Sequence, residues 1–74
     1  MSVSTYWRPA NDGWIAFDGG STLLGKLGKM GWRQEVPSSA AGYLRGLADC
    51  GVRGARELAD IVEEHGAVVL NEVW

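Results

Sequence analysis

Two residue types that carry nucleophilic or metal-binding chemistry occur here in single copy, Cys50 and His65. A Cys–His nucleophile pair needs the imidazole within hydrogen-bond reach of the thiol. Cys50 falls at the end of one expected helix, where a small cysteine usually serves packing. His65 falls at the end of another, where imidazole sits well beside the last carbonyl groups. One Cys and one His cannot build a four-ligand structural zinc site, and a lone cysteine excludes an intrachain disulfide. Asp12 and Asp18 border glycine turns, where aspartate is favoured on conformational grounds. No carboxylate pair has a stated reason for a shifted pKa. The inventory therefore argues against an enzyme and implies no catalytic residue, metal or cofactor.

The glycines and lysines offer a different chemistry. Gly20-Ser-Thr-Leu-Leu-Gly25-Lys26-Leu27 reads as the G-x4-G-K part of a phosphate loop, with Leu27 where a magnesium-binding Ser or Thr belongs. Leu23-Leu24-Gly25-Lys26-Leu27-Gly28-Lys29-Met30 resembles the GXXG loop of KH RNA-binding domains, in which apolar-apolar-Gly-basic-x-Gly-basic joins two helices. That resemblance implies a clamp on the nucleic-acid backbone. Gly25, Lys26, Gly28 and Lys29 would contact phosphates, and Leu23 and Leu24 would line the groove. It covers eight residues and requires Gly25–Gly28 to be a loop and residues 38–49 not to be a helix.

Residues 40–65 resemble a helix-turn-helix in outline, two helices joined at Cys50-Gly51-Val52. The second helix, however, carries Glu57, Asp60, Glu63 and Glu64 on its expected exposed face, and carboxylates repel phosphates. Arg53–Glu57 and Arg56–Asp60 have i, i+4 spacing for pairing. Glu63 and Glu64 have no such partner within the helix and sit at its C-terminal end, where the dipole favours cations. An acidic surface held at some cost suggests docking on a basic partner. The charge distribution agrees. Residues 1–56 hold all seven basic side chains against four acids, a balance of +3, while residues 57–74 hold five acids and no base.

Aromatics supply the last signal. Trp7, Trp14, Trp32, Trp74, Tyr6, Tyr43 and Phe17 are many for a chain of 74 residues. Each buries roughly 150–250 Å² when enclosed, and surplus Trp and Tyr on a surface serve protein interfaces as anchors. Trp14, beside a turn, and Trp32, followed by Arg33, are the two expected to remain partly exposed.

The elements that must position these residues follow from periodicity. Residues 3–8 alternate with β-branched and aromatic types and predict a strand. Pro9–Gly13 is turn chemistry, and residues 14–17 predict the second strand of a hairpin. Ser21 is the expected N-cap of a helix over 22–30 with Leu23, Leu24, Leu27 and Met30 on its apolar face. Ser38 or Ser39 caps a second helix to about Asp49, burying Ala41, Leu44, Leu47 and Ala48, with Gly51 past its end. A third helix runs from about Gly54 to His65, burying Ala55, Leu58, Ala59 and Val62. Residues 67–74 predict a strand. The order β-β-α-α-α-β gives one α+β domain spanning 1–74, in which the last strand joins the hairpin as a three-stranded sheet with helices on one face.

Size bounds the function. A domain this small buries only about 60% of its unfolded surface, so packing alone must hold it. The first residues contain no apolar h-region, and no run approaches about 18 apolar residues. With the lone cysteine, this favours the cytoplasm and argues against a membrane partner. Arg over Lys, with abundant Gly, Ala and Val, points to a GC-rich bacterial or phage source. The expected function is a small non-enzymatic protein-binding module, a regulator or inhibitor docking on a larger protein or complex such as transcription or nuclease machinery. Its contacts would be Trp14, Trp32 and Arg33 as anchors and Glu57, Asp60, Glu63 and Glu64 as an acidic face. The alternative is single-stranded nucleic-acid binding through the glycine–lysine loop. The chain itself is expected as a monomer or small homo-oligomer.

Overall fold

The computed structural model describes residues 4–9, 13–17 and 19–73. Strands β1 (Ser4–Pro9) and β2 (Ile15–Phe17) are followed by helix α1 (Ser21–Lys29) and a two-residue strand β3 (Glu35–Val36). A 3₁₀ turn (Ser38–Ala40) then leads into α2 (Ala41–Asp49), α3 (Ala55–His65) and β4 (Val68–Val73). The hairpin and the C-terminal strand form the expected three-stranded antiparallel sheet, and β3 adds a short edge, giving the order β2-β1-β4-β3. The expected turn residues 10–12 and Asp18 lie outside the described residues, as do Trp74 and the side chain of Tyr6. Pro9, read as turn, is instead the last residue of β1, buried and opposite Val68. A strand end tolerates proline, which has no N–H to give a ladder.

Strand alternation sorts the sheet into two faces. Trp7, Phe17, Val36 and Val68 point at the helices and join Leu23, Leu24, Leu27, Leu44, Leu58, Ala59 and Val62 in one core. Trp7 is its largest member, fully buried, with its ring edge-on to Phe17 at 5.5 Å. The α3 pattern read from sequence, Ala55, Leu58, Ala59 and Val62, is the face that is buried. In α2, Leu44 is fully buried while Ala41, Leu47 and Ala48 pack at the core's margin.

The helix ends differ from expectation in a consistent way. Gly20, not Ser21, is the N-cap of α1, and no side chain caps it. Ser38 and Ser39 lie inside the 3₁₀ turn after Pro37, and neither caps α2. Met30, expected on the buried face of α1, is its exposed C-cap. Both α1 and α2 close with the same device, a glycine at positive φ (Gly31 at 76°, Gly51 at 82°). The next N–H then reaches back to the helix, Trp32 to the Leu27 carbonyl at 2.9 Å and Val52 to the Leu47 carbonyl at 3.0 Å. Such a cap satisfies a carbonyl group that the helix leaves open and brings the following apolar residue onto the last turn.

Candidate functional site

The face of the sheet turned away from the helices is the most distinctive surface. In the ladder, Arg8 stands opposite Val69, and Val69 stands opposite Glu35. Beyond Arg8, on the β2 side, the hairpin register brings Trp14, and the Arg8 guanidinium carbon lies 5.7 Å from the Trp14 ring centre. One row therefore runs across the sheet in the order Trp14, just before β2, then Arg8, Val69 and Glu35. Trp14 is 51% exposed and Val69 38% exposed, two of the three large apolar residues so open among the described residues. A cation over an exposed indole contributes about 0.5–1 kcal/mol and restrains the ring without covering it.

Trp32 behaves differently. Placed by the cap of α1, it is half-buried, packs on the core and meets Tyr43 of α2 edge-on at 5.6 Å. Its neighbour Arg33 is exposed. Trp14 and Trp32 thus sit on different parts of the molecule, and the sheet row includes Arg8, Val69 and Glu35, which residue type alone did not single out. The signal for Arg8 lay in the hairpin: once residues 7 and 15 pair, residues 8 and 14 must be neighbours.

The four acids of α3 are exposed, as expected, but two of them are already engaged. Arg45 of α2 donates to both carboxylate oxygens of Glu63, Nε at 2.9 Å and Nη2 at 2.6 Å, and Nη2 also donates to Asp60 at 2.9 Å. Asp60 therefore pairs across the helices with Arg45 where the spacing pointed to Arg56. Glu63, which has no partner within its helix, finds one on the next. The bidentate hydrogen bond from Arg45 holds the Glu63 carboxyl below the usual carboxylate range. Glu57 and Glu64 remain exposed, with Glu64 3.8 Å from the His65 imidazole. The acidic face is thus narrower than the sequence suggests, because a basic residue 15 and 18 positions away folds onto it.

The glycine–lysine segment does not have the geometry its resemblances require. Gly25, Lys26, Gly28 and Lys29 all lie within α1, and residues 38–49 are helical. A GXXG clamp needs a loop between two helices, so the KH reading is overturned. The phosphate-loop reading fails likewise, since helix begins at Ser21 and no loop spans Gly20 to Gly25. Both patterns misled because the buried leucines of α1 hold its glycines helical, whatever their propensity.

Cys50 is exposed at the C-terminal end of α2, next to the start of α3. His65 closes the far end of α3, an 11-residue helix about 16 Å long. The pair is therefore not assembled. Among the described residues, no group of three His, Cys, Asp or Glu side chains could hold a metal ion. No helix among them is long and apolar enough to cross a membrane. The chain matches no protein family, no curated protein and no solved structure, so the reading of its function rests on the surface just described.

Proposed function

We propose that this chain is a small non-catalytic protein-binding module whose principal anchor is Trp14, displayed from the β2 edge of the uncovered sheet face. The carrying observation is the half-exposed indole, 51% open and held by Arg8 at 5.7 Å. Burying a ring already restrained in this way loses little conformational freedom, and tryptophan and arginine dominate binding energy at protein interfaces. A domain this small with such an anchor would act by occupying a surface of a larger protein, as a regulator or inhibitor does. Glu57 and Glu64 offer a secondary acidic contact, and Trp32 with Arg33 a flanking one.

The test is affinity capture from lysate with the tagged chain and its Trp14→Ala variant, each with and without nuclease treatment. A protein retained in stoichiometric amount after nuclease, and lost with Trp14→Ala while the thermal midpoint moves by less than about 2 °C, supports the reading. Equal retention by both forms removes Trp14 as the anchor. Recovery of protein only through nucleic acid overturns the proposal.

A further inference from the structure

The sheet row has a second property that Trp14 does not explain. Arg8 and Glu35 flank Val69 on its two neighbouring strands. Arg8 leans toward Trp14, on the side away from Glu35, and no ion pair joins Arg8 to Glu35 among the described residues. The central part of the open face therefore reads cation, apolar, anion, in three adjacent strands. That pattern is complementary to itself when turned over.

We propose that two copies of this chain pair face to face through β1, β4 and β3, on a two-fold axis running along β4 at Val69. The rotation reverses strand order, so Val69 meets its own copy and Arg8 of each chain faces Glu35 of the other. Both ion pairs form at once, as an isologous contact demands. Packed sheets stand about 10 Å apart, a gap that one arginine and one glutamate together span. The indole of Trp14 occupies one side of the Arg8 guanidinium and leaves in-plane N–H donors for a carboxylate. The hairpin edge β2 has no opposing strand in this arrangement, because it falls one strand beyond the partner's β3 edge. The dimer thus leaves both Trp14 anchors outside its overlap, about four strand spacings, or roughly 19 Å, apart. A module that binds weakly through one anchor would gain avidity by presenting two.

Three short strands overlap, so the contact is smaller than the 1,200 Å² or so of a stable interface. A contact of that size is expected to associate weakly and exchange rapidly. The experiment is sedimentation velocity of the full chain from about 5 μM to 1 mM, under reducing conditions so that exposed Cys50 makes no contribution. The expected result is a mass rising from 8.0 kDa toward twice that value. Val69→Arg should leave a monomer throughout. Arg8→Glu or Glu35→Arg alone should weaken association at least tenfold, because the symmetry turns two attractions into two repulsions. The double variant Arg8→Glu/Glu35→Arg should return it to within about threefold of the parent. All three positions are exposed, so each variant should fold, which circular dichroism would check. A parent that stays monomeric at 1 mM, or a charge swap that fails to restore pairing, overturns the dimer. Neither result touches the Trp14 reading, whose readout is retention of a different protein.

Discussion

Replacing the two glycines inside α1 tests the boundary between the helix observed here and the loop that the same residues resemble. Gly25 and Gly28 both lie within Ser21–Lys29, both are exposed, and a Cβ built on either meets no atom within 4 Å. Neither has positive φ, so alanine fits each backbone without strain. In a helix interior, glycine is about 0.8–1.0 kcal/mol less favourable than alanine. Gly25 sits mid-helix and should return nearly the full amount. Gly28 is one residue from the end and should return about half, for a total of about 1.4 kcal/mol. A 74-residue domain unfolds with an entropy of about 0.16 kcal/mol/K, at roughly 2.1 cal/mol/K per residue. The Gly25→Ala/Gly28→Ala variant should therefore melt about 8–10 °C above the parent by circular dichroism. Gly66→Ala is the matched opposite. Gly66 has the same open space around its Cβ but stands at φ 83° and ψ −148°, a region essentially closed to other residues. It should cost about 1–3 kcal/mol, all of it backbone strain. A midpoint that falls or stays level in the double alanine variant would refute the argument, since it would mean Gly25–Gly28 are not held in a helix.

Three further outcomes follow from particular contacts. Trp7 is fully buried, and its Nε1 has no hydrogen-bond partner among the described residues. Trp7→Ala should cost about 3–5 kcal/mol, against a total stability of about 4–11 kcal/mol for a chain of this length. Trp7→Phe gives up ring area but also removes an unpaired buried donor, so urea melts should place it well short of the alanine variant. Arg45→Ala should raise the Glu63 pKa toward its ordinary value, read by carboxyl carbon NMR. Because Arg45 lowers that pKa in the folded state, its contribution is full above the unfolded carboxylate pKa and fades as pH falls through the folded one. The stability gap between parent and Arg45→Ala should thus shrink between pH 7 and pH 3. Leu44→Ala, at a fully buried position in α2, should destabilise by about 2–5 kcal/mol in the same melts.

Much of the architecture was legible in the residues. Ala55, Leu58, Ala59 and Val62 recur at helical spacing, and that one regularity was enough to name the buried face of α3. The alternation of residues 3–8 likewise predicted the strand β1, though not which of its faces is buried. These signals are local, and a periodic apolar pattern has only one element in which it can be buried. Local rules misplaced the serine caps for an equally physical reason. A cap is a contest among neighbouring residues for one backbone geometry: Gly20 holds the position expected of Ser21, and the 3₁₀ turn that follows Pro37 takes up Ser38 and Ser39 and leaves Ala40 as the N-cap of α2.

What the sequence determined by itself was therefore the α+β class, the order of its main elements, the buried stripe of α3 and the scarcity of nucleophiles. Tertiary structure alone decided how the surface is divided. It brought Arg45 onto Asp60 and Glu63 and so engaged two of the four carboxylates of the acidic face across the helices. It aligned Arg8, Val69 and Glu35 from three separate strands, with Trp14 just before β2, into one row. Between the helix that its leucine spacing predicts and the loop that its glycines resemble, it also settled the glycine–lysine segment as helix. Each of these depends on residues distant in sequence becoming neighbours. Burial of Leu23, Leu24 and Leu27 against strands and helices outweighs the roughly 1 kcal/mol that each helical glycine costs.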